Sequence, residues 1–198
     1  MAAEGERKVV LYVKANDKSG KGLGDCPFSH RIMMILNLKQ ITCKYIPINL
    51  KIIPQEFEEF CNNAGVPIRV PVFVHGEYVV YNSNDIACYI DKEWSDPPLV
   101  CDNEMAKKIG DNLFTKFCGY LRNKNPSYEE KEQEKLIDEL KKLNNFLGSV
   151  NSPGTFLNGD VMQHPDCDIL PKLQHVKVAL KKYKNFDIPE DLPQKNTI

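Results

Sequence analysis

Cys26 is the residue of this chain best placed to do chemistry, within Gly24-Asp25-Cys26-Pro27-Phe28-Ser29. A strand-like run, Val9–Val13, leads through a Gly/Lys-rich loop to this cysteine, and an apolar helical run, Ile32–Leu38, follows at once. The order predicts that Cys26 stands at a helix N-terminus, where backbone N–H groups without intrahelical acceptors and the helix dipole favour an anion. A thiol held there loses its proton more readily, and the thiolate is the reacting form. The other six cysteines lack such a setting.

Composition narrows what surrounds that thiol. The 26 basic and 27 acidic side chains leave a net charge of −1, which argues against a nucleic-acid protein that depends on neutralising phosphates. Seven cysteines without a Cys-x-x-Cys pair argue against a disulfide framework or a zinc site built from close pairs. The four histidines show no metal-ligand spacing either, so no metal site is expected. Met1–Arg7 has no apolar core of the kind a secretory signal needs. The apolar runs fall far short of the roughly 18 residues of a transmembrane helix. A soluble protein of the cytoplasm is the expectation.

The elements that must position Cys26 alternate through the first half. Strand Val9–Val13 is followed by a helix over Phe28–Gln40, a strand over Cys43–Ile48 and a short acidic helix over Pro54–Asn62. Val72–Val74 and Tyr78–Tyr81 flank His75-Gly76-Glu77 as a β-hairpin. Ser83 is the expected cap of a helix running to Trp94. The order β-α-β-α-β-β-α describes a thioredoxin-like N-terminal domain over residues 1–94. Ser95-Asp96-Pro97-Pro98 reads as a linker, placed at 95–100.

Residues 101–198 form the expected all-α C-terminal domain. Single helices are predicted over Asn103–Leu121, Tyr128–Leu147 and Asp166–Lys184. Leu136, Leu140, Leu143 and Leu147 recur at the spacing of one helix face. Glu129, Glu130 and Glu132 suit a solvated first turn, and Lys181, Lys182 and Lys184 a solvated helix end; the same lysines also read as nuclear targeting. Asp166 belongs to a capping arrangement in which Gln163 stands where Ser or Thr would be expected.

Cys26-Pro27-Phe28-Ser29-His30-Arg31 resembles the CPFSQR motif of the chloride intracellular channel (CLIC) family, within the glutathione transferase superfamily. Leu170-Pro171-Lys172-Leu173 and Lys181–Pro189 resemble that family's C-terminal signature. Plant dehydroascorbate reductases carry a similar cysteine motif and are the nearest rival. The resemblance implies a glutathione transferase fold, glutathione as cosubstrate, and glutaredoxin-like activity in a soluble form. It also implies a membrane-associated form, in contact with lipid, that conducts chloride and other anions, and it extends to cytoskeletal partners. The vertebrate acidic loop is missing, and the chain ends soon after Pro189, where family members continue. The expected state is a monomer able to self-associate on oxidation.

Carried onto single residues, the resemblance makes Cys26 the catalytic thiol. Ser29 stands where a dithiol enzyme has its second cysteine, so the centre is a monothiol. Glutathione contacts fall on Lys14, Phe28, Val70, Pro71, Asn82 and Ser83, with a cis Val70–Pro71 bond and with Asn82 replacing the family's Asp. Ser83 also suits plain helix capping. Arg31 and Lys39 match residues of the family's proposed pore, and equally fit the solvent face of the first helix. Cys61 lies near a second redox cysteine of some members, and Cys167 matches a buried position. Three functions stay open: a CLIC-type anion channel, a glutathione-dependent thiol oxidoreductase or dehydroascorbate reductase, and a non-catalytic scaffold.

Overall fold

The computed structural model describes residues 8–189 and Leu192. Met1–Arg7 and the rest of the Glu190–Ile198 tail, on which two of the expectations above bear, lie outside the described residues. The chain divides into two compact units that meet between Pro98 and Leu99.

The first unit is a four-stranded mixed sheet with helices on both faces. Its strands are β1 (Val9–Lys14), β2 (Lys44–Ile48), β3 (Val72–His75) and β4 (Tyr78–Tyr81), in the order β2-β1-β3-β4. β1 runs parallel to β2 and antiparallel to β3, and β3 pairs antiparallel with β4. Period-2 patterning sends successive side chains to opposite faces. Tyr12 therefore meets Phe57 and Phe60 of α2 (Gln55–Ala64), each with ring centroids 5.1 Å away. On the other face, Phe73 meets Tyr89 of α3 (Ser83–Glu93) at 5.8 Å. α1 (Pro27–Leu38) packs against α3 and buries Ile32, Ile35 and Leu36 completely. These elements make the expected thioredoxin-like arrangement.

Two local expectations are corrected here. Asn82, not Ser83, caps α3: its Oδ1 accepts the Asn84 N–H at 3.0 Å, and Ser83 is the first helical residue. Lys39 is not on the solvent face of α1. It lies just past the end of that helix with its side chain fully buried.

The second unit is helical throughout: α4 (Glu104–Lys108), α5 (Leu113–Arg122), α6 (Glu129–Leu147), α7 (His164–His175) and α8 (Lys181–Lys184). A 3-10 turn, Pro126–Tyr128, precedes α6, and a π-helical turn, Val176–Leu180, joins α7 to α8. Leu136, Leu140 and Leu143 enter the core with Leu113, Phe117, Leu173 and Leu180, while Leu147 is only partly buried against it. The single helix expected over Asn103–Leu121 is two. The break comes at Gly110, whose φ of +81° suits glycine and whose added Cβ would lie 2.2 Å from Ile169 Cδ1.

Asp166 holds the start of α7. Its Oδ2 accepts the Gln163 N–H at 2.9 Å and its Oδ1 accepts the Leu157 N–H at 2.9 Å, so the missing Ser/Thr at 163 does not prevent capping. Lys184 is not part of a solvated end. Its Nζ donates to both Glu129 carboxylate oxygens and to the Asn123 carbonyl, each at 2.9 Å, which also gives Glu129 a partner the sequence did not suggest.

Candidate active site

The loop after β1 folds back so that Cys26 begins α1 beside the strand it left. Ala15 bridges Leu23, and the Gly24 N–H donates to the Lys14 carbonyl at 2.7 Å. A Cβ on Gly24 would fall 2.3 Å from the Ala15 carbonyl oxygen and 2.7 Å from that of Lys14. Only glycine allows this approach. His30 secures the same loop from the helix side, with Nε2 3.0 Å from the Gly24 carbonyl oxygen.

Cys26 is the N-cap of α1, half-buried, with extended backbone (φ −74°, ψ 115°) and with Pro27 opening the helix. Proline suits that first position because its missing N–H would have had no intrahelical acceptor. Ser29, one turn on, is buried, and its Oγ has no hydrogen-bond partner among the described residues. Phe28 stays 37% exposed at the rim.

Sheet register brings the other predicted residues to the same end. Val72 pairs with Tyr12 of β1 and Tyr81 of β4. The Val70–Pro71 bond, which is cis, thus enters β3 beside the end of β1, and Asn82-Ser83 leaves β4 there. Asn82 adopts φ +71°, a region that asparagine visits more readily than most residues. α1 and α3 therefore both start at the end where β1 finishes.

Lys14 is placed there as well, but its charge is engaged. Nζ lies 2.7 Å from Asp25 Oδ1 and 3.2 Å from Asp17 Oδ1. Burial pulls the ammonium pKa down, but the hydrogen bonds to Asp25 and Asp17 outweigh it and leave Lys14 above the usual lysine value. Lys14 therefore faces carboxylates at the rim, an arrangement that the strand pattern gave no reason to expect.

Arg31 and Lys39 do not share a surface. Arg31 Nη1 donates to Asn84 Oδ1 at 2.5 Å, joining α1 to the first turn of α3. Lys39, at the far end of α1, donates to the carbonyls of Trp94 and Pro97, each at 2.7 Å.

The remaining thiols divide by burial. Burial pushes Cys43 up to about 12, against a smaller opposing hydrogen bond from the Leu11 backbone. Burial likewise raises the Cys61, Cys101 and Cys118 thiols. Cys61 is fully buried in the α2 core, on the sheet face opposite α1. Cys26 and Cys61 are both free thiols. Cys167 is fully buried in α7, and Cys88 is exposed on α3. Among the described residues no His/Cys/Asp/Glu group could hold a metal ion.

Gly24, His30 and the Arg31–Asn84 pair were not anticipated in these roles. The glycine directly before Asp25-Cys26, and the histidine four residues after the thiol on one helix face, were the available signals. Chemically, the arrangement offers a helix-start thiol beside a second helix start, whose first-turn N–H groups suit a carboxylate.

Residues 7–98 match the CLIC-like N-terminal domain. The chain is 30% identical over 183 residues to the chloroplastic glutathione S-transferase DHAR3 of Arabidopsis thaliana, covering 92% of this chain and 67% of that protein. The crystal structure of Chlamydomonas reinhardtii dehydroascorbate reductase is similar with a TM-score of 0.79 at 25% identity, over 95% of this chain and 84% of that one. The CLIC homologue EXC-4 of C. elegans shares the fold with a TM-score of 0.77 at 21% identity, over 95% and 74% of the two chains.

Proposed function

The chain belongs to the glutathione S-transferase superfamily and carries a CLIC-like N-terminal domain, and from that premise we propose that it is a glutathione-dependent monothiol oxidoreductase working through Cys26. The observation that supports this most is the position of Cys26, half-buried at the start of α1, while burial raises the thiols of Cys43, Cys61, Cys101 and Cys118. The Cys26 thiolate attacks the glutathione sulfur of a mixed disulfide. The substrate leaves as its thiolate and takes up a proton, and Cys26 is left glutathionylated. The thiolate of a second glutathione then attacks the glutathione sulfur on Cys26. Oxidised glutathione departs and the Cys26 thiolate returns. One glutathione is consumed for each mixed disulfide reduced.

In this reading the γ-glutamyl carboxylate of glutathione meets the first-turn N–H groups of α3 at Asn82-Ser83, and its cysteinyl main chain meets Val70 before Pro71. Phe28 flanks the thiol at the rim. The test is glutathione-coupled reduction of a small mixed disulfide by the wild type and by Cys26→Ser. Activity is expected to fall to background in the variant, and wild-type turnover by Cys26→Ser overturns the reading.

Dehydroascorbate is a second candidate acceptor, favoured by the Arabidopsis and Chlamydomonas relatives, each named as a dehydroascorbate reductase or DHAR. Two glutathiones would be consumed for each ascorbate formed, with Cys26 again passing through its glutathione mixed disulfide. Ascorbate production lost in Cys26→Ser supports this acceptor, and none by the wild type excludes it. The anion-conducting membrane form has the CLIC-like domain match in its favour. No described helix is long and apolar enough to cross a membrane.

A further inference from the structure

Two helices start at the thiol end of the sheet, and a side-chain contact joins them. Arg31 lies five residues after Cys26 on α1, and Asn84 is the second residue of α3. Arg31 Nη1 donates to Asn84 Oδ1 at 2.5 Å, and the Asn84 N–H donates to Asn82 Oδ1 at 3.0 Å. The chain of contacts ends on Asn82, the cap held at φ +71°. Arg31 is half-buried while Asn84 is exposed, so the guanidinium leaves open water to reach an amide. A long side chain gives up rotamer freedom on being ordered in this way.

We infer that Arg31 is a positioning residue for glutathione: it sets the first turn of α3, which receives the carboxylate, at a fixed separation from the Cys26 thiol. The inference rests on the glutathione reading above. The scale agrees with it. Five residues of helix advance about 7.5 Å from Cys26 to Arg31. An extended γ-glutamyl-cysteine stretch covers roughly 7–10 Å between carboxylate and sulfur. In this reading Arg31 acts through Asn84 on the start of α3 and makes no direct contact with the reacting atoms.

The experiment follows mixed-disulfide formation, in which the Cys26 thiolate attacks oxidised glutathione, forms the Cys26–glutathione disulfide and releases one glutathione thiolate. Mass spectrometry at a series of oxidised glutathione concentrations gives the half-saturating concentration and the limiting rate. Arg31→Met and Asn84→Ala are each expected to raise the half-saturating concentration about 10-fold, the scale of one hydrogen bond to a charged group, with little change in limiting rate. The double variant is expected to be no worse than either single one. Alkylation of Cys26 by iodoacetamide, which needs no glutathione site, is expected to stay at the wild-type rate in both variants. Asn84 is exposed, so Asn84→Ala keeps the test alive if Arg31→Met folds poorly.

Half-saturation of Asn84→Ala within twofold of wild type overturns the inference, as do effects that simply add in the double variant. A wild type that forms the mixed disulfide but does not turn over substrates overturns the catalytic reading, while a shifted half-saturation still supports the positioning role. A wild type whose Cys26 shows no saturation with oxidised glutathione overturns the positioning role.

Discussion

Lys39 Nζ lies 2.8 Å from Asp91 Oδ1, and the lysine side chain has no solvent exposure. The same ammonium donates to the carbonyls of Trp94 and Pro97, so one charge gathers the end of α1, the end of α3 and the segment that follows. Removing one partner of a buried ion pair strands the other, which typically costs about 3–5 kcal/mol, whereas replacing both with apolar groups is often neutral. Lys39→Ala is therefore expected to destabilise the first unit by about that amount, and Lys39→Met with Asp91→Leu to recover much of it. Trp94 is the sole tryptophan and lies with its ring 4.8 Å from that of His75, so its fluorescence during urea unfolding reports on this unit. An unchanged midpoint in Lys39→Ala would refute the clasp. Conductance measured on neutralised Lys39 has to be read against this loss of fold.

Gly24→Ala tests the backbone approach that delivers Cys26. The new Cβ would meet two carbonyl oxygens of β1 and its following residue, and backbone atoms cannot swing aside as a side-chain tip can. The loop must shift. A loss of at least about 2 kcal/mol is expected, or a displaced Cys26 with glutathionylation slowed tenfold or more. His30→Ala removes only the Nε2 contact to Gly24 and is expected to give a milder form of the same defect, with slower glutathionylation and an unchanged global unfolding midpoint. Wild-type kinetics in both variants would show that the loop does not set the thiol's position.

Burial also predicts a pattern of thiol labelling and a pH dependence. Iodoacetamide near neutral pH is expected to modify Cys26 and the exposed Cys88 first, to react more slowly with the half-buried Cys43 and Cys118, whose thiols burial raises, and to leave the buried Cys61, Cys101 and Cys167 until the chain unfolds. A thiol whose folded pKa is raised binds its proton more tightly when folded. Its contribution to stability is complete below the unfolded value and is lost as pH climbs toward the folded one. For Cys43 that window runs from about 9 to about 12. Urea midpoints should fall across it, and a Cys43→Ala variant should lose less. Peptide mapping that finds Cys43 modified as early as Cys26 would contradict the assignment.

Where the sequence pattern was local, it carried the fold. β1, the β3–β4 hairpin and the start of α1 each show period-2 runs or a proline and turn signal within a few residues, and each formed as expected. What it missed depends on partners far along the chain. Lys39 reads as a surface lysine because Asp91, Trp94 and Pro97 lie more than fifty residues away. At the split between α4 and α5, Ile169 leaves no room for a Cβ on Gly110, a contact that no window around Gly110 contains. At the site, Cys26 was legible from its position between strand and helix. The pairing of Lys14 with Asp25 was not, since it depends on how the loop between them folds back.

Asp166 offers the sharpest separation between folding and chemistry. Its carboxylate is buried, and its two oxygens accept the backbone N–H groups of Leu157 and Gln163, fixing the preceding loop onto the start of α7. Asp166→Ala leaves two donors without this acceptor, and a buried donor left unsatisfied costs about 1–3 kcal/mol. A loss of about 3 kcal/mol in the second unit is expected, with Asp166→Asn intermediate because one oxygen acceptor survives. Tryptophan fluorescence is blind to this unit, because Trp94 lies in the first, so the loss should be read from circular dichroism or hydrogen exchange along α7. Below the unfolding transition the rate of iodoacetamide reaction at Cys26 should match wild type. A variant with unchanged α7 protection would show that the double acceptor is dispensable. One with slowed Cys26 alkylation while α7 remained folded would tie Asp166 to the thiol site rather than to the helix it caps.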